Sequence, residues 1–421
     1  MNTHNIENWV DSNTGQLIEF LQTIIRIPSV TGNEGPIQEF LGDYIGKMGL
    51  VADTFVPSLE ELRKHPAFVE VSMPYEGRPN VVGILKGTGG GRSLLFNGHI
   101  DVIPEGSDEN WTHGCWSGEI EDGKMYGRGA ADMKSGVAAM TMALKAIVDN
   151  KIRLKGDVIL EFVMDEELSG NGTLACVMKG YKADAGICCE TSSMRVQPGS
   201  IGRIWFDIKV RGKAAGIQRR YEGVNAIDLG YIVTQAVAEF EKLRVEKLYH
   251  PLYPDILGAI PCMVGQFLSG SYNSAFPDSS LLKGSIATVP GEDSDLVKQE
   301  FIHFITSYCA SKNSWFKENP PEVLFTGYFA EPSEIPADSQ IVRTLCKNFK
   351  DIMKTDAIIT GREGAADIRF LNRYGKTPTV IFGPGMTEQM HANNEWVRIE
   401  DYINAIKILA NTILEWCQPD I

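Results

Sequence analysis

The sequence predicts an α/β protein that carries a second, smaller α+β domain inserted within the first. Short apolar strands alternate with amphipathic helices before residue 200 and again towards the C-terminus, the pattern of an α/β domain. The middle of the chain shows the order strand–helix–strand–strand–helix–strand, which suits one open sheet with two helices on one side. We therefore expect one domain built from residues 1–199 and 323–421, and an inserted domain built from residues 200–322.

The composition is that of an ordinary globular protein, with 43% hydrophobic and 22% charged residues in a chain of 421. A formal net charge of -14 disfavours nucleic acids and anionic membrane surfaces as partners. The N-terminus lacks the layout of a signal peptide, and no apolar run is long enough to span a bilayer. The eight cysteines form no C-x-x-C pair, so we expect reduced thiols and a cytoplasmic protein.

Hydrophobic periodicity and helix-end signals place the elements of the first domain. The predicted helices cover residues 16–27, 36–49, 132–150, 339–353 and the stretch from 399 onwards. The predicted strands cover residues 80–85, 93–98, 157–164, 183–189 and 379–382. The glycine-rich turn Gly87–Gly91 predicts that the first two of these strands form a hairpin. Residues 57–79 are polar and contain prolines, which indicates a long loop or an insertion.

The inserted domain is predicted from one alternating strand and the elements that follow it. Ile204, Phe206, Ile208 and Val210 alternate with more polar residues, which is typical of a half-buried strand. Further strands are predicted near residues 262–268, 281–288 and 323–328, and helices at 225–247 and 294–310.

One apolar strand runs directly into a histidine. In SLLFNGHID, His99 stands where the strand should end, and Asp101 follows two residues later. This spacing suits a metal ligand whose second ring nitrogen is held by a nearby carboxylate. The same spacing also occurs at ordinary polar strand ends, so it needs support from other residues.

Carboxylates follow or precede other elements in a similar way. Asp132 opens a predicted helix, where it could also serve as the N-cap. Glu166 and Glu167 follow the strand DVILEFVM, where they could form a solvated acidic loop, and Glu190 follows the strand ending in CC. His391 lies in a loop near the C-terminus. Because ligands of open α/β sheets bind beyond the carboxyl ends of strands, these residues are candidates for one shared site.

Several motifs in the same order resemble the two-zinc amidohydrolases of the M20 metallopeptidase family. The motifs are FNGHID, YGRGAADMKSG, DEELSGNG, CCE and the late His391, and the resemblance covers nearly the whole chain. The resemblance implies a zinc-peptidase-like catalytic domain, in which a mixed sheet is sandwiched by helices. It also implies that the inserted domain is a ferredoxin-like α+β lid and dimerisation domain.

The resemblance also implies the metal ligands of this chain. His99 and Glu190 would bind one ion, His391 the other, and Asp132 would bridge the two, with Glu167 as a further ligand. Ions bridged in this way lie about 3.5–4 Å apart, a spacing that suits a shared hydroxide. The residue types agree with two Zn²⁺ ions per chain, with Co²⁺ or Mn²⁺ as possible substitutes.

The catalytic and substrate-binding residues follow from the same resemblance. Glu166 would be the general base, and Asp101 would steady His99. Asn273 in SYNSAFPD and Arg369 in GAADIRFL resemble residues that hold the substrate. The chain departs from the family at one position, because Gly216 stands where the lid domain normally supplies a histidine to an active site. His65, His113, His250 and His303 match no motif.

The predicted function is hydrolysis of the N-acyl amide bond of an N-acylated amino acid, as in deacetylases and desuccinylases. The alternatives are a dipeptidase or carboxypeptidase of the same family, a metal that serves structure only, and a weak or silent binding homologue. Gly216 favours the silent homologue, while the complete set of ligands argues against it. The resemblance further implies a homodimer formed through the inserted domain.

Overall fold

The computed structural model describes residues 4–420 of the chain. The helices are α1 (His4–Ser12), α2 (Thr14–Arg26), α3 (Gly35–Lys47), α4 (Leu59–Leu62), α5 (Lys134–Asp149), α6 (Asn171–Lys179), α7 (Ala226–Lys247), α8 (Ile256–Ala259), α9 (Ser294–Lys312), α10 (Trp315–Glu318), α11 (Gln340–Met353), α12 (Ile368–Arg373) and α13 (Ile399–Cys417). Short 3₁₀ helices cover Asp108–Asn110, Ile217–Glu222 and Thr387–Gln389.

The strands are shorter than the helices and are spread over the whole described chain. They are β1 (Val51–Phe55), β2 (Asn80–Leu85), β3 (Leu94–His99), β4 (Ile120–Glu121), β5 (Lys124–Tyr126), β6 (Val158–Val163), β7 (Ala185–Cys188), β8 (Val196–Ser200), β9 (Gly202–Arg211), β10 (Ala215–Gly216), β11 (Cys262–Ser269), β12 (Ala275–Phe276), β13 (Ser279–Thr288), β14 (Glu322–Leu324), β15 (Phe329–Ala330), β16 (Ser333–Glu334), β17 (Ile359–Arg362), β18 (Thr379–Ile381) and β19 (Trp396–Arg398).

The chain divides into two compact units. Unit 1 comprises Met1–Gly199, Glu334–Arg362 and Ala366–Ile421, and unit 2 comprises Ser200–Ser333 and Glu363–Ala365. The inserted unit therefore extends beyond the boundary expected after residue 322. The physical reason is strand pairing, because β14 and β15 both hydrogen bond to β9 of the inserted sheet.

Unit 1 is built on a nine-stranded mixed sheet. Its strands follow the order β1-β2-β6-β3-β7-β18-β8-β16, and β17 pairs with β8. Strands β6, β3, β7 and β18 run parallel to their neighbours in this group. Along β3, Leu94 and Phe96 pack in the largest core cluster with helices such as α5 and α13, whereas Leu95 packs with residues of α6 and α12. Alternate residues of one strand thus bury against helices on opposite faces.

The predicted hairpin between β2 and β3 is wrong. Strand β6 lies between them, antiparallel to β2 and parallel to β3. The glycine-rich turn therefore connects two strands that are not neighbours. Two glycines of this turn pack closely on the segment before β6, since a Cβ atom added at Gly87 or Gly91 would lie 2.4 Å or 2.5 Å from backbone atoms there.

Unit 2 has an antiparallel sheet in the order β11-β13-β9-β14, and β15 also pairs with β9. As the alternation predicts, the inward residues of β9 are buried with residues of α7 and α9 in one core cluster. Helix α7 begins after Asn225, whose side chain accepts a hydrogen bond from the backbone N–H of Ile227. A separate two-stranded ribbon pairs β10 with β12.

Candidate metal centre

Three neighbouring parallel strands deliver candidate residues to one edge of the unit 1 sheet. His99 is the last residue of β3, Glu166 and Glu167 follow β6, and Glu190 follows β7. Because β3 lies between β6 and β7 and runs parallel to both, the carboxyl ends of all three strands meet at the same edge. This edge is where open α/β sheets bind their ligands.

Asp132 lies between two imidazole rings. Its Oδ1 atom is 3.2 Å from Nε2 of His99, and its Oδ2 atom is 3.6 Å from Nε2 of His391. Helix α5 begins at Lys134 with Met133 at the N-cap position, so the carboxylate of Asp132 does not cap this helix. One carboxylate thus presents a separate oxygen to each histidine.

Three glutamates surround this His–Asp–His arrangement. Oε1 of Glu190 is 3.4 Å from Nε2 of His99, and Oε2 of Glu166 is 3.9 Å from the same nitrogen. Oε2 of Glu167 is 3.0 Å from Nε2 of His391. Within the described chain, two sets of three residues could each hold a metal ion. The ligand atoms of each set all lie within 4.8 Å of one another. One group is His99, Asp132 and Glu167, and the other is His99, Glu166 and Glu190.

The site concentrates negative charge in a buried place. Burial raises the pKa of Glu166 well above its usual value, and nearby Glu190 raises it further. Burial also raises the pKa of Glu167, although the hydrogen bond to His391 opposes this shift. Burial alone would lower the pKa of His99, but its acidic neighbours outweigh burial and raise it. Carboxylates crowded in this way stay ionised together only when cations neutralise them.

The donor set fits divalent metal ions. It consists of imidazole nitrogens and carboxylate oxygens, the ligands that zinc, cobalt and manganese accept in sites that also bind water. The ring nitrogens that face the carboxylates are both Nε2. Nδ1 of His99 lies 2.8 Å from the carbonyl oxygen of Asp101, which can only accept, so Nδ1 carries a proton and Nε2 is the nitrogen that would bind a metal ion.

Asp101 organises the site in a way that differs in one detail from the expectation. Its carbonyl oxygen, and not its carboxylate, is at hydrogen-bond distance from His99, since the carboxylate lies 3.6 Å away. The carboxylate instead accepts hydrogen bonds from the backbone N–H groups of Glu166 and Glu167, at 3.1 Å and 3.3 Å, and from the Thr31 hydroxyl. Burial raises the pKa of Asp101 to about 7.

Arg362 and Glu395 contact the candidate ligands, and no pattern in the sequence points to either. Nη2 of Arg362 is 3.1 Å from Oε2 of Glu190, and its Nη1 atom donates to the carbonyl oxygen of Thr191 at 2.5 Å. The buried carboxylate of Glu395 accepts a hydrogen bond from the backbone N–H of Asp132 at 2.9 Å. Burial raises the pKa of Glu395 to about 7. Neither residue belongs to a short motif, because each reaches the site only through tertiary folding.

The predicted substrate contacts are distributed over both units. In unit 1, Arg369 is buried, donates to the carbonyl oxygen of Ser169 at 2.8 Å and lies 3.6 Å from Asp367. In unit 2, Asn273 is exposed in the turn before β12. Gly216 pairs with Ala275 in the β10–β12 ribbon, two residues from Asn273 along the partner strand. Within unit 2, the structure thus brings the Gly216 and Asn273 positions together.

The histidines that match no motif lie outside both groups of candidate ligands in the described chain. His113 stacks on Tyr126 with ring centroids 3.9 Å apart, and His65 packs edge-on against Tyr374. Over residues 4–420, no helix combines the length and apolar character needed to cross a bilayer. The eight cysteines, all within the described residues, are unpaired.

Comparison with known proteins identifies the family. The sequence profile of peptidase family M20/M25/M40 matches residues 95–415, which is most of the chain. The chain belongs to this family. An M20 relative from Bacillus subtilis, N-formyl-4-amino-5-aminomethyl-2-methylpyrimidine deformylase, is 29% identical over 98% of this chain and 97% of its own length. Succinyl-diaminopimelate desuccinylase of Methylorubrum extorquens is 38% identical, over 49% of this chain and 52% of its own length.

A solved structure shows the same fold. A tripeptidase from Staphylococcus aureus superposes with a TM-score of 0.74 at 20% identity, covering 96% of this chain and 99% of the tripeptidase. The mixed α/β architecture predicted from the sequence is therefore confirmed. The chain is a hydrolase of the M20 family, and this family is metal-dependent and often dinuclear.

Proposed function

We propose that this M20 hydrolase uses two divalent metal ions, most simply Zn²⁺, to cleave the amide bond of a small N-acyl compound. The observation that carries the proposal is the position of Asp132, whose two carboxylate oxygens face His99 and His391 separately. A single carboxylate that serves two imidazoles is the arrangement needed for a ligand shared by two ions. An N-acylated amino acid is the proposed substrate class.

Distances from the two imidazoles favour one division of ligands, which assigns Glu167 to His391 although Glu167 also forms a close group with His99 and Asp132. Asp132, His99 and Glu190 would hold one ion, since His99 Nε2 lies 3.2 Å and 3.4 Å from the two carboxylates. Asp132, His391 and Glu167 would hold the other, since His391 Nε2 lies 3.0 Å from Glu167. When bound, such ions supply Lewis acidity, which polarises an amide carbonyl and makes water more acidic.

Glu166 is the proposed general base. Its side chain is 14% exposed and lies beside the candidate ligands, with Oε2 3.9 Å from Nε2 of His99, and its backbone N–H donates to Asp101. In the reaction its carboxylate takes a proton from the attacking water while the water oxygen bonds to the amide carbon. The same group then delivers this proton to the nitrogen as the carbon–nitrogen bond breaks, releasing a carboxylic acid and an amine, which become a carboxylate and an ammonium ion when the acid gives its proton to the amine.

The proposed substrate contacts have unequal support. Asn273 is exposed, as a residue that binds substrate must be, and it lies beside the Gly216 position in unit 2. Arg369 is 3% exposed and already contacts Ser169 and Asp367, which favours a structural role for its guanidinium over a contact with substrate. A free guanidinium fork would bind a carboxylate better than one engaged in this way.

A second candidate substrate is the formamide of an aminomethylpyrimidine. A relative that aligns with 98% of this chain is a deformylase of such a compound. The desuccinylase, which acts on an acylated amino acid, aligns with 49% of this chain. Both reactions cleave an N-acyl amide, so they share the proposed chemistry and differ in the group that the enzyme must recognise.

We also propose a homodimer formed through unit 2 and a cytoplasmic location. Strand β11 is an edge of the unit 2 sheet and carries exposed Met263 and Leu268, while α7 carries exposed Tyr231. Edge strands with exposed apolar side chains favour pairing with another chain. The unpaired cysteines support a reducing compartment.

The deciding experiment measures metal content and turnover in the same preparations. Protein purified without chelators should hold close to two equivalents of metal, and it should hydrolyse at least one member of an N-acyl panel supplied with Zn²⁺, Co²⁺ or Mn²⁺. The panel contains N-formyl, N-acetyl and N-succinyl amino acids, the N-formyl aminomethylpyrimidine and dipeptides. A preparation that holds two ions and cleaves only dipeptides would replace the proposed N-acyl substrate by a peptide. A preparation that retains no metal would refute the two-ion centre.

A further inference from the structure

A buried carboxylate links the two loops that carry Asp132 and His391. Glu395 lies four residues after His391, and its side chain is 1% exposed. Its Oε1 atom accepts hydrogen bonds from the backbone N–H groups of Ala131 and Asp132, at 2.8 Å and 2.9 Å. Its Oε2 atom accepts from the backbone N–H of Gly129 at 3.0 Å. Three backbone groups of one turn thus point at one side chain.

Arg128 completes this link from the other side. Its Nη1 atom donates to Oε2 of Glu395 at 2.9 Å and to the carbonyl oxygen of Ala392 at 3.0 Å. The backbone N–H of Gly127 donates to the carbonyl oxygen of Glu395 at 2.9 Å. Residues 127–132 therefore hold residues 391–395 through both side-chain and backbone hydrogen bonds, and all of these contacts lie within unit 1.

The loop that carries His391 adopts a conformation that needs such support. His391 has a φ of +60° and Asn394 a φ of +55°, both in the left-handed region that side chains other than glycine seldom adopt. His391 is half exposed, so packing around its ring contributes less to its position than it does for the buried His99. The contacts of residues 392–395 with residues 127–132 thus help to hold the ring of His391 near Asp132, together with the contact of His391 with Glu167.

We propose that Glu395 is a positioning residue of the metal centre, which sets the separation between Asp132 and His391 without touching the substrate. The inference rests on the proposed two-ion function. Four donors converge on two oxygens, and only a carboxylate offers acceptors on both sides. A glutamine would turn its NH₂ group towards at least one N–H donor, so residues 129–132 would have to shift and Asp132 would move with them.

Three measurements on the full-length chain test this role. The first is the affinity for Zn²⁺, obtained by competition with a chromophoric chelator. The second is the visible absorption spectrum of the Co²⁺-loaded chain, which reports ligand geometry. The third is hydrogen exchange of a peptide covering residues 127–133 in the metal-free chain. Glu292→Gln is the matched control, because Glu292 forms a comparable ion pair with Arg244 in unit 2, at 2.6 Å.

For Glu395→Gln we expect the weaker of the two Zn²⁺ affinities to fall by about 10–100-fold, as for other residues that hold metal ligands in place. The Co²⁺ spectrum should change, and exchange over residues 127–133 should be at least tenfold faster. Glu292→Gln should match the wild-type chain in all three measurements. Glu395→Asp keeps both acceptor oxygens but is one methylene shorter, so it should show smaller changes of the same kind.

The outcomes separate this inference from the proposed function. Wild-type affinity and an unchanged Co²⁺ spectrum in Glu395→Gln would overturn the positioning role while leaving the metal centre in place. If Glu395→Gln gives no folded protein, the same three measurements on Glu395→Asp test the proposal. A Glu395→Asp chain that matches the wild type in all three would overturn it. If the wild-type chain binds no ion, the two-ion function fails, and the exchange of residues 127–133 in metal-free variants still decides whether Glu395 holds this turn.

Discussion

Glu166 and Glu167 are neighbours in the chain, yet their side chains have different partners. Oε2 of Glu167 lies 3.0 Å from His391, and Oε2 of Glu166 lies 3.9 Å from His99. Their backbone N–H groups both donate to Asp101, which fixes the turn that separates the two side chains. This difference supports the proposal that Glu167 is a metal ligand and Glu166 the general base.

This division can be tested with matched amide variants. Glu166→Gln should keep the metal content near that of the wild type and lower kcat by about 10²–10⁴, the range for loss of general acid–base help. Glu167→Gln should instead lower metal occupancy, because an amide is a weaker ligand than a carboxylate. Metal analysis and kcat are measured on both variants. Equal losses of metal in the two variants would contradict the assignment.

At the residue scale, short motifs in the sequence point to candidate metal ligands, but they do not point to the residues that hold those ligands in place. The structure brings together His99, Asp132 and Glu190, each of which lies at or next to the boundary of a predicted element. Glu395 and Arg362 could not be found in this way, because their partners are backbone groups and carboxylates far away in the chain. Such contacts depend on the tertiary fold and leave no pattern at fixed spacing.

At the scale of elements, the β10–β12 ribbon offers a place to restore a side chain. Gly216 has a φ of -68°, which any residue adopts, and a Cβ atom added there would have Gln218 Oε1 as its nearest neighbour, at 3.9 Å. The ribbon also keeps this position near Asn273 through the pairing of Gly216 with Ala275. A larger side chain can therefore be introduced without disturbing unit 2.

Gly216→His should raise kcat by at least about tenfold, because loss of one donor to a developing oxyanion typically costs about 10²–10³ in rate. The metal content should not change, since Gly216 lies in unit 2 and the candidate ligands lie in unit 1. Gly216→Ala is the control for loss of glycine flexibility alone. Unchanged turnover in Gly216→His, followed by inactivity of Arg220→Ala in the original sequence, would show that Arg220 has taken over the task.

The segment between α4 and β2 illustrates how an irregular stretch is held. Arg78 is buried, with Nη2 2.6 Å from Oε1 of Glu34 and 2.6 Å from Oδ1 of Asp165. The Tyr75 hydroxyl donates to Oδ2 of Asp165 at 2.7 Å. Asp165 immediately precedes Glu166, so this network anchors the irregular segment to the turn that carries the proposed base.

Arg78→Met should lower the free energy of unfolding by about 3–5 kcal/mol, because it leaves the carboxylates of Glu34 and Asp165 buried without their cation. Urea denaturation of the metal-free chain measures the change. Arg63→Met is the control, since the Arg63–Glu70 pair is 52% and 67% exposed and solvent screens it. Similar losses in the two variants would show that the Arg78 network is not the anchor of this segment.

Element types were predicted well from periodicity, whereas strand neighbours were not. The long helices α5, α7 and α13 match the apolar spacing of the sequence closely. The prediction that β2 and β3 form a hairpin is wrong, because a glycine turn specifies that the chain bends but not which strand pairs with each of the two strands that it connects. Strand β6 occupies that position, and it comes more than fifty residues later in the chain.

At the scale of the whole molecule, each of the two units has a large sheet and a large core cluster of its own. The inward residues of β9 form the core of unit 2 with α7 and α9, separately from the core of unit 1. Strand β1 is an edge of the unit 1 sheet and carries Val51, which is 61% exposed. Strand β11 is an edge of the unit 2 sheet and carries Leu268, which is 53% exposed. The two edges therefore offer a matched pair of positions for testing self-association.

If unit 2 forms the dimer, the double change Met263→Lys and Leu268→Lys should convert the wild-type dimer to a monomer. Two cations on one edge strand repel their copies in the partner and remove apolar area from an interface that must bury about 1,200–2,000 Å² to be stable. Val51→Lys introduces the same residue at the β1 edge and should leave the dimer intact. Light scattering after size-exclusion chromatography distinguishes one chain from two. A dimer that survives the double change but dissociates with Val51→Lys would place the interface on unit 1.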